Sequence, residues 1–333
     1  MSHANISIFV PHLGCPNRCS FCDQNIITGT VKLPSGDDIE NAVNTAKLSA
    51  NFDSKNTELA FFGGSFTVID REYMLELLES AYEFVKSGDI CGIRISTRPD
   101  CIDAEVLGVL KQYGVTAIEL GAQSMCDEVL RLNNRGHNAT DVKKASELIK
   151  SYGFSLGLQM MTGLYKSTYE TDKFTAEEII KLKPDTVRIY PTITLSGTHL
   201  ENLVISGEYI PPTLEDTVNL CAELLDLFEL HSIKVIRTGL HTIEQTRYIA
   251  GPWHPAFREV CDSKRYYNKI IKQLPHKGEY ILHVNPKEIS KVMGNKKANI
   301  LKLAESGYKV SVKGDDSLEP MQVTFERMNN SCF

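Results

Sequence analysis

Short apolar runs alternate with amphipathic stretches along most of the chain. Each run has the length and β-branched composition of a buried strand, and each stretch carries apolar residues at helical spacing. The predicted strands are Ile6–Val10, Glu58–Phe62, Gly92–Ser96, Ala117–Gly121, Ser155–Met160 and Thr186–Tyr190. The predicted helices cover residues 37–50, 70–86, 103–113, 141–152 and 174–182.

Residues at the ends of these stretches support the predicted helices. Three polar residues lie where N-caps are expected: Asp70, Asp103 and Thr140. Three glycines lie where helices should stop: Gly88, Gly114 and Gly153.

Strands that alternate with helices predict parallel strands joined by right-handed crossovers. The alternation alone leaves an open and a closed sheet equally possible. Polar residues follow the strands and favour a barrel-like sheet with its chemistry at one rim. These are Gly63-Gly64-Ser65, Thr97-Arg98, Gln123-Ser124, Thr162-Gly163 and Pro191-Thr192.

The pattern changes in the last third of the chain. A long helix (about 213–231) and a further strand, Lys234–Arg237, precede the turn-forming stretch 251–255. We therefore expect two domains, residues 1–250 and a small α+β domain at 251–333. The second domain has the predicted order strand 279–284, helix 286–293, helix 298–305 and strands near 308–312 and 321–325.

Composition is that of an ordinary globular protein, with 42% hydrophobic and 23% charged residues among 333. The sequence contains no apolar run of about eighteen residues and no secretory leader pattern, so we expect a cytoplasmic protein without membrane association. The formal net charge is −6, but residues 264–333 hold 13 Lys+Arg against 7 Asp+Glu. This asymmetry indicates either a basic module or a lysine-rich solvated surface.

Three of the nine cysteines lie within Cys15-Pro-Asn-Arg-Cys19-Ser-Phe-Cys22. The other six are scattered singly, as reduced thiols are. A structural zinc site needs four ligands, whereas three thiolates suit a 4Fe-4S cluster with one open iron. A zinc site completed by His12 or by a distant cysteine is the alternative.

With this motif the chain resembles the radical S-adenosylmethionine (SAM) enzymes, whose CxxxCxΦC pattern includes Phe21 as its aromatic residue. Four further motifs resemble the Elongator-type branch of that family: Phe61-Phe62-Gly63-Gly64-Ser65-Phe66, Arg94–Asp100, Glu119–Ser124 and Gly157–Met161. The resemblance runs through most of residues 6–260. It implies a partial (βα)6 TIM-like barrel that holds a 4Fe-4S cluster and SAM.

The resemblance also implies which residues form the site. The cluster ligands would be Cys15, Cys19 and Cys22. The residues at the SAM site would be Phe21, Gly63, Gly64, Ser65, Thr97, Arg98, Gln123 and Gln159. We add Arg188 from its position on the sixth strand, where it could hold SAM or substrate.

Each residue type suits its implied role. Paired glycines let a backbone approach the methionine ammonium group, although Ser65 stands where the family has an acid. Arg98 can bind the methionine carboxylate, and hydroxyl and amide side chains can bind a ribose. Hydrogen bonding within the barrel rim is the alternative for these polar residues. Arg188 and Tyr190 lie two apart on one strand and share a face, which we expect to be the barrel interior.

The implied reaction is reductive cleavage of SAM to methionine and a 5′-deoxyadenosyl radical. It needs a low-potential electron donor such as flavodoxin or ferredoxin. No acid–base dyad is required for this step.

The basic tail is similar to the KH module, which has the order β-α-α-β and a GxxG loop that clamps a nucleic-acid backbone. Here the loop is Gly294-Asn295-Lys296-Lys297, so Lys297 replaces the second glycine. We expect tRNA to bind through Lys296 and Lys297. The alternative is an α+β cap packed on the barrel.

The sequence therefore predicts a radical SAM enzyme that modifies tRNA. A small metabolite as substrate, and a non-catalytic RNA-binding protein with a structural metal, are the alternatives. These 333 residues leave no room for the acetyltransferase domain of Elongator, and they lack the extra N-terminal cysteines of methylthiotransferases. Carboxymethyl-type modification and sulfur insertion are therefore not expected.

Overall fold

The computed structural model describes residues 4–11, 19–22, 33–240 and 245–328. Seven parallel strands form one sheet in the order β1-β2-β3-β4-β5-β6-β8, which curls into a half-barrel. The strands are β1 (Ala4–Val10), β2 (Thr57–Gly63), β3 (Gly92–Thr97), β4 (Val115–Gln123), β5 (Ser155–Thr162), β6 (Thr186–Pro191) and β8 (Lys234–Thr238). The six predicted strands and the predicted Lys234–Arg237 strand are all present, and the α/β partial-barrel prediction is confirmed.

Helices connect these strands, and most of them pack on the outer face of the sheet. They are α1 (Gly36–Lys47), α2 (Arg71–Lys86), α3 (Ala104–Gln112), α4 (Asp127–Leu132), α5 (Ala139–Ser151), α6 (Tyr169–Lys181), α7 (His199–Ile205) and α8 (Leu214–Leu230). Asp70 and Asp103 are N-caps as predicted, because their carboxylates accept backbone N–H groups of the first turn. The prediction for Thr140 is wrong. Asn138 caps α5 and forms a capping box with Asp141, so the helix begins earlier.

The two faces of the sheet differ in polarity because side chains alternate along each strand. Leu59, Phe61, Ile93 and Ile95, for example, belong to the large core between the sheet and the helices. The alternate positions face the concave side of the half-barrel, and many of them are polar. Side chains that follow the strands lie at the rim formed by the carboxyl ends.

The C-terminal segment forms a second small sheet with the order β11-β10-β12. Its elements are β10 (Gly278–Val284), α10 (Ile289–Met293), α11 (Ala298–Glu305), β11 (Tyr308–Gly314) and β12 (Val323–Arg327). The order β-α-α-β agrees with the predicted order. Its core is a separate cluster that includes Tyr280, Leu282, Val292 and Leu303.

A long helix, α9 (Phe257–Gln273), connects the two parts and was not predicted from the sequence. Phe257 and Cys261 belong to the core of the half-barrel, whereas Tyr266 and Ile270 belong to the core of the small sheet. One helix thus contributes to both cores, and the domain boundary at residue 250 stays a prediction. Two short strands, β7 (Thr194–Leu195) and β9 (Tyr248–Ala250), pair near the ends of β6 and β8. Within the described residues, every helix is too short or too polar to cross a lipid bilayer.

Candidate cofactor and substrate site

The turn that carries Cys19 and Cys22 is anchored on both sides. Cys22 N donates to Cys19 O at 3.1 Å, which closes the turn. Ser20 Oγ donates to Asn133 Oδ1 at 2.6 Å, and Ser20 N donates to Asn133 O at 3.1 Å. Leu200 N donates to Ser20 O at 2.8 Å. The backbone of the turn is therefore held by Asn133 and Leu200, and Cys19 is only 6% exposed.

The predicted third ligand, Cys15, lies outside the described residues, as does His12. Among the residues that are described, no three His, Cys, Asp or Glu side chains converge on one point. Phe21 packs against the apolar clusters that contain Met161 and Leu200. It therefore fixes the cysteine turn against the barrel, and its predicted contact with SAM stays a prediction.

Arg135 contacts the cysteine turn and was missed by the sequence reasoning. Its Nη1 donates to Cys19 Sγ at 3.2 Å, and its Nη2 donates to Gly121 O at 2.8 Å. Its Nε is buried without a hydrogen-bond partner in the described part of the chain. A side chain at Gly121 would crowd the neighbouring Gln123, because a Cβ there would lie 3.0 Å from Gln123 Nε2. Arg135 lies in a turn after α4, where no periodic pattern could identify it.

The predicted Gly-Gly-Ser motif lies at the end of β2. Gly63 has φ 109°, a conformation that side chains rarely adopt, and Gly64 N donates to Val10 O at 3.0 Å. Ser65 begins a short 3-10 helix and is nearly buried. The motif therefore ends β2 with a turn, and this turn lies at the rim beside the end of β1.

Thr97 and Arg98 lie at the end of β3, and both are buried. Thr67 Oγ1 donates to Cys101 O at 2.8 Å, so Thr97 Oγ1 must donate to Thr67 Oγ1 at 2.6 Å. The oxygen of Thr97 can still accept a hydrogen bond. Arg98 Nε and Nη2 form a bidentate ion pair with Asp100 at 2.9 and 2.7 Å.

The Arg98–Asp100 pair has a neutral histidine beside it. His137 Nδ1 lies 3.9 Å from Asp100 Oδ1. Burial, with Arg135 nearby, lowers the pKa of His137 to about 4. Burial opposes ionisation of Asp100, but the hydrogen bond from Arg98, the charge of Arg98 and a backbone hydrogen bond together outweigh burial and lower the pKa of Asp100. Arg98 is therefore oriented by a carboxylate that stays charged at neutral pH.

Gln123 and Gln159 lie on adjacent strands, and Gln159 Nε2 donates to Gln123 Oε1 at 3.4 Å. The pairing of β4 and β5 is irregular between Gly121 and Gln123, and Gln123 has φ 64°. A non-glycine residue in this conformation is uncommon and often belongs to a functional site. The irregularity directs the Gln123 side chain toward its neighbour at the rim.

Arg188 faces the concave side of the sheet, as predicted, since its neighbours Val187 and Ile189 belong to the outer core. It forms an ion pair with Glu119, with Nε–Oε2 at 2.6 Å and Nη2–Oε1 at 2.8 Å. It also stacks over Phe62, with 5.0 Å between the guanidinium carbon and the ring centre. Its charge is thus compensated within the barrel, and its predicted cofactor contact stays a prediction.

A buried carboxyl group lies beside the end of β5. Asp172 is 3% exposed, borders a cavity of about 370 Å³, and accepts a hydrogen bond from Gly163 N at 2.8 Å. Burial raises the pKa of Asp172 to about 7. The native carboxyl therefore keeps its proton well above the pH at which an unfolded one would lose it.

This raised pKa predicts a pH dependence of stability. Between about pH 4 and 7 the native state holds more protons than the unfolded state, so stability falls as pH rises through 7. From pH 6 to 8 we expect Asp172 to lower the free energy of unfolding by about 1.4 kcal/mol. Asp172→Asn, which still accepts from Gly163, should remove this decrease in urea unfolding at the two pH values. Glu147→Gln, at an exposed position of α5, should leave this decrease in stability unchanged. If Asp172→Asn shows the same decrease as wild type, the raised pKa does not belong to Asp172.

Comparisons with known proteins agree with this geometry. Residues 9–179, just over half of the chain, match the family model described as the radical SAM superfamily, and residues 184–267 match the Radical_SAM C-terminal domain. An uncharacterized protein of Methanocaldococcus jannaschii is 27% identical over 81% of this chain and 79% of its own.

Other relatives are longer than this chain. A tRNA uridine(34) acetyltransferase of M. jannaschii is 32% identical over 49% of this chain and 34% of its own. The Elongator complex protein 3 of Homo sapiens is 33% identical over 51% of this chain and 35% of its own. The chain therefore spans about a third of the length of these two proteins. The structure of the archaeal Elp3 of Methanocaldococcus infernus superposes with a TM-score of 0.67 at 22% identity, covering 81% of this chain and 64% of that one, and shares its fold.

Proposed function

The chain belongs to the radical SAM superfamily and is an enzyme of that class, and from this premise we propose that it cleaves SAM reductively and acts on tRNA. The family uses a 4Fe-4S cluster and SAM. The observation that carries the cluster assignment is the anchored Cys19–Cys22 turn at the barrel rim, with Arg135 donating to the Cys19 sulfur. Hydrogen bonds to ligand sulfurs are among the interactions that set cluster potentials, so these residues fit the group.

The proposed cluster ligands are Cys15, Cys19 and Cys22. A reduced cluster held by these thiolates would supply the electron for reductive cleavage of SAM, and a flavodoxin or ferredoxin would supply electrons to it. The chain's own residues bind and orient SAM and keep water away from the rim.

The rim residues divide this task by their chemistry. Backbone carbonyls of the Gly63–Gly64 turn accept from the methionine ammonium group, and Ser65 adds a neutral acceptor. Thr97, Gln123 and Gln159 bind the ribose hydroxyls. Arg98, oriented by Asp100, binds the methionine carboxylate. Phe21 packs beside SAM, and Arg188 contacts SAM from the concave face of the sheet.

Arg135 shares the recognition of the methionine carboxylate with Arg98. Its Nε is a buried donor with no partner in the described residues, and a ligand carboxylate would satisfy it. A hydrogen bond to a charged group contributes about 1.5–3 kcal/mol. Arg135→Gln should therefore weaken SAM binding to the oxidised holoprotein about 10- to 100-fold in isothermal titration.

The matched control is Arg131→Gln, an exposed arginine on the short helix just before Arg135, which should bind SAM as wild type does. The SAM affinity of Arg135→Lys should lie between those of Arg135→Gln and wild type, because lysine keeps the charge but lacks the planar guanidinium. Equal affinity of Arg135→Gln and wild type would remove Arg135 from the site.

The basic tail supports RNA as the substrate. A groove of about 950 Å³ lies between α8, α9 and the turn before α11, and five lysines line it against two glutamates. The lysines are Lys264, Lys291, Lys296, Lys297 and Lys302, and the glutamates are Glu215 and Glu259. In a chain with net charge −6, this local excess of positive charge suits a phosphate backbone.

The turn that carries Lys296 and Lys297 is rigidly held. Both residues have left-handed backbones, with φ 51° and 63°, so Lys297 adopts the conformation that a glycine would favour. Asn299 Nδ2 donates to Val292 O at 3.0 Å and to Ser263 O at 2.9 Å, which ties the turn to α9. Strained residues fixed in this way often serve binding.

The part of the helices that lines the groove supports a substrate that reaches the barrel. Gly239, just after β8, lies against Phe257 at the start of α9. The groove is lined by the first half of α8 and of α9. RNA bound there would then extend toward the rim that we propose for SAM. The names of the acetyltransferase relatives, which specify a tRNA uridine, agree with such a substrate.

Charge reversal in the turn tests RNA binding. Lys296→Glu with Lys297→Glu should weaken binding of bulk tRNA in a gel-shift assay. The slope of log K against log salt should become shallower by about 0.7–0.9 for each phosphate that the turn no longer neutralises. A matched pair on the outer helices, Lys111→Glu with Lys144→Glu, should bind tRNA as wild type does. If the two double variants behave alike, the tail is a cap and a small-metabolite substrate is favoured.

A further inference from the structure

An ion-pair network extends across the concave face of the half-barrel. Arg94 Nη2 lies 2.8 Å from Glu58 Oε2, and Arg94 Nη1 lies 3.2 Å from Glu119 Oε1. Glu119 also pairs with Arg188 at 2.6 Å. Two carboxylates thus compensate two guanidinium groups, and these four side chains are nearly buried.

A third guanidinium lies beside this network without compensation. The pairing of β6 and β8 is irregular between Val187 and Arg188, and this irregularity puts Arg237 of β8 opposite Arg188 on the concave face, where Arg188 and Tyr190 both affect its pKa. Arg237 Nε donates to Gly239 O at 3.2 Å. Within the described ranges no carboxylate pairs with Arg237, although the side chain is only partly exposed. Burial, and the charge of Arg188, lower the pKa of Arg237.

Two cations side by side on one face of neighbouring strands repel each other. Glu119 already forms ion pairs with both Arg94 and Arg188, so little of its charge is left to compensate Arg237. A half-buried cation in this position is stabilised when a bound anion completes its surroundings. Tyr190, on the same face, accepts from Arg188 Nη1 at 3.4 Å and can donate its own proton to such an anion.

The position of Arg237 identifies the kind of ligand. The strand β8 is the edge of the sheet opposite β1, after which the cysteine turn follows in the chain. Arg237 is the penultimate residue of β8, at the rim where the SAM residues lie. An anion held there lies at the mouth of the barrel, across the sheet from Cys19.

We propose that Arg237 and Tyr190 form an oxyanion site at the mouth of the half-barrel, which binds a phosphate or carboxylate group of the substrate. This inference rests on the proposed function, because the barrel mouth is where the substrate of SAM cleavage would lie. A planar guanidinium fork suits both phosphate and carboxylate.

The test measures anion binding and does not depend on SAM cleavage. Every protein compared in this test carries Lys296→Glu and Lys297→Glu, so that the basic groove does not compete for the anion. The melting temperature of the holoprotein is measured in inorganic phosphate, in acetate and in chloride at equal ionic strength. With Arg237 present, we expect phosphate or acetate to raise the melting temperature by about 2–4 °C over chloride.

Arg237→Gln should abolish this increase, whereas Arg71→Gln, an exposed arginine on α2, should preserve it. In chloride alone, Arg237→Gln should melt no lower than its parent, because the change relieves repulsion; a merely structural arginine would lower it. A larger effect of phosphate assigns a phosphate ligand, and a larger effect of acetate assigns a carboxylate. Equal increases with and without Arg237, or no increase with either anion, would overturn the proposal.

Failure here is distinguishable from failure of the proposed function. Anion binding by Arg237 in a protein that does not cleave SAM would contradict only the proposed reaction. SAM cleavage by a protein without the anion effect would contradict only the oxyanion site.

Discussion

Cys19→Ala should reduce the iron content of anaerobically reconstituted protein from about four per chain to near zero. The thiol is buried in an anchored turn, so no other side chain in the described residues can replace it. SAM cleavage should fall below detection with the iron. Iron analysis and the visible absorbance of the cluster measure the first effect, and 5′-deoxyadenosine release measures the second.

The control for this change is Cys91→Ala. Cys91 is an exposed free thiol that precedes β3, at the edge of the sheet away from the rim. It should retain full iron and full SAM cleavage. Circular dichroism of both apo-proteins confirms that each variant is folded. Iron retained in Cys19→Ala, or lost equally in Cys91→Ala, would show that the cluster is held elsewhere.

Arg94→Leu should destabilise the protein by about 3–5 kcal/mol, because buried Glu58 and Glu119 each lose the guanidinium of Arg94. Arg94 connects Glu58 and Glu119, all three are less than a tenth exposed, and only Glu119 retains a second guanidinium. The loss should appear as a lower midpoint of urea unfolding with an unchanged m-value.

Arg71→Leu is the matched control for this second change. Arg71 and its partner Glu105 are exposed and 3.4 Å apart, so its loss should cost no more than about 1 kcal/mol. The double change of Arg94 and Glu58 to leucine should cost less than Arg94→Leu alone, since one stranded charge is gone. Equal destabilisation by Arg94→Leu and Arg71→Leu would mean that the network is solvated.

The sequence predicted the barrel well because its strands and helices have strong periodic patterns. Gly88, Gly114 and Gly153 all have positive φ at helix ends, as the pattern indicated. It failed for α9, whose buried face includes Arg265 and Tyr266 and which follows a proline-rich turn. Its buried residues lie on one stripe at helical spacing, but Asp262 and Arg265 belong to that stripe, so charged residues interrupt the apolar pattern.

The candidate site was predicted only in part, for a physical reason. Motif residues such as Gly63 and Gln123 follow strands and could be placed at the rim. The partners that orient them come from turns distant in sequence, as Asn133 and Arg135 do. Likewise, Glu119 is part of a motif, but its role as the shared partner of two arginines depends on strand register.

The most direct test of the proposed function is SAM cleavage by the reconstituted protein. Anaerobically reconstituted protein is mixed with SAM and dithionite, with and without bulk tRNA from a strain that lacks the protein, and 5′-deoxyadenosine is quantified. We predict dithionite-dependent 5′-deoxyadenosine that increases when this tRNA is added. Zinc in place of iron, or an intact cluster that releases no 5′-deoxyadenosine, would contradict the proposed function.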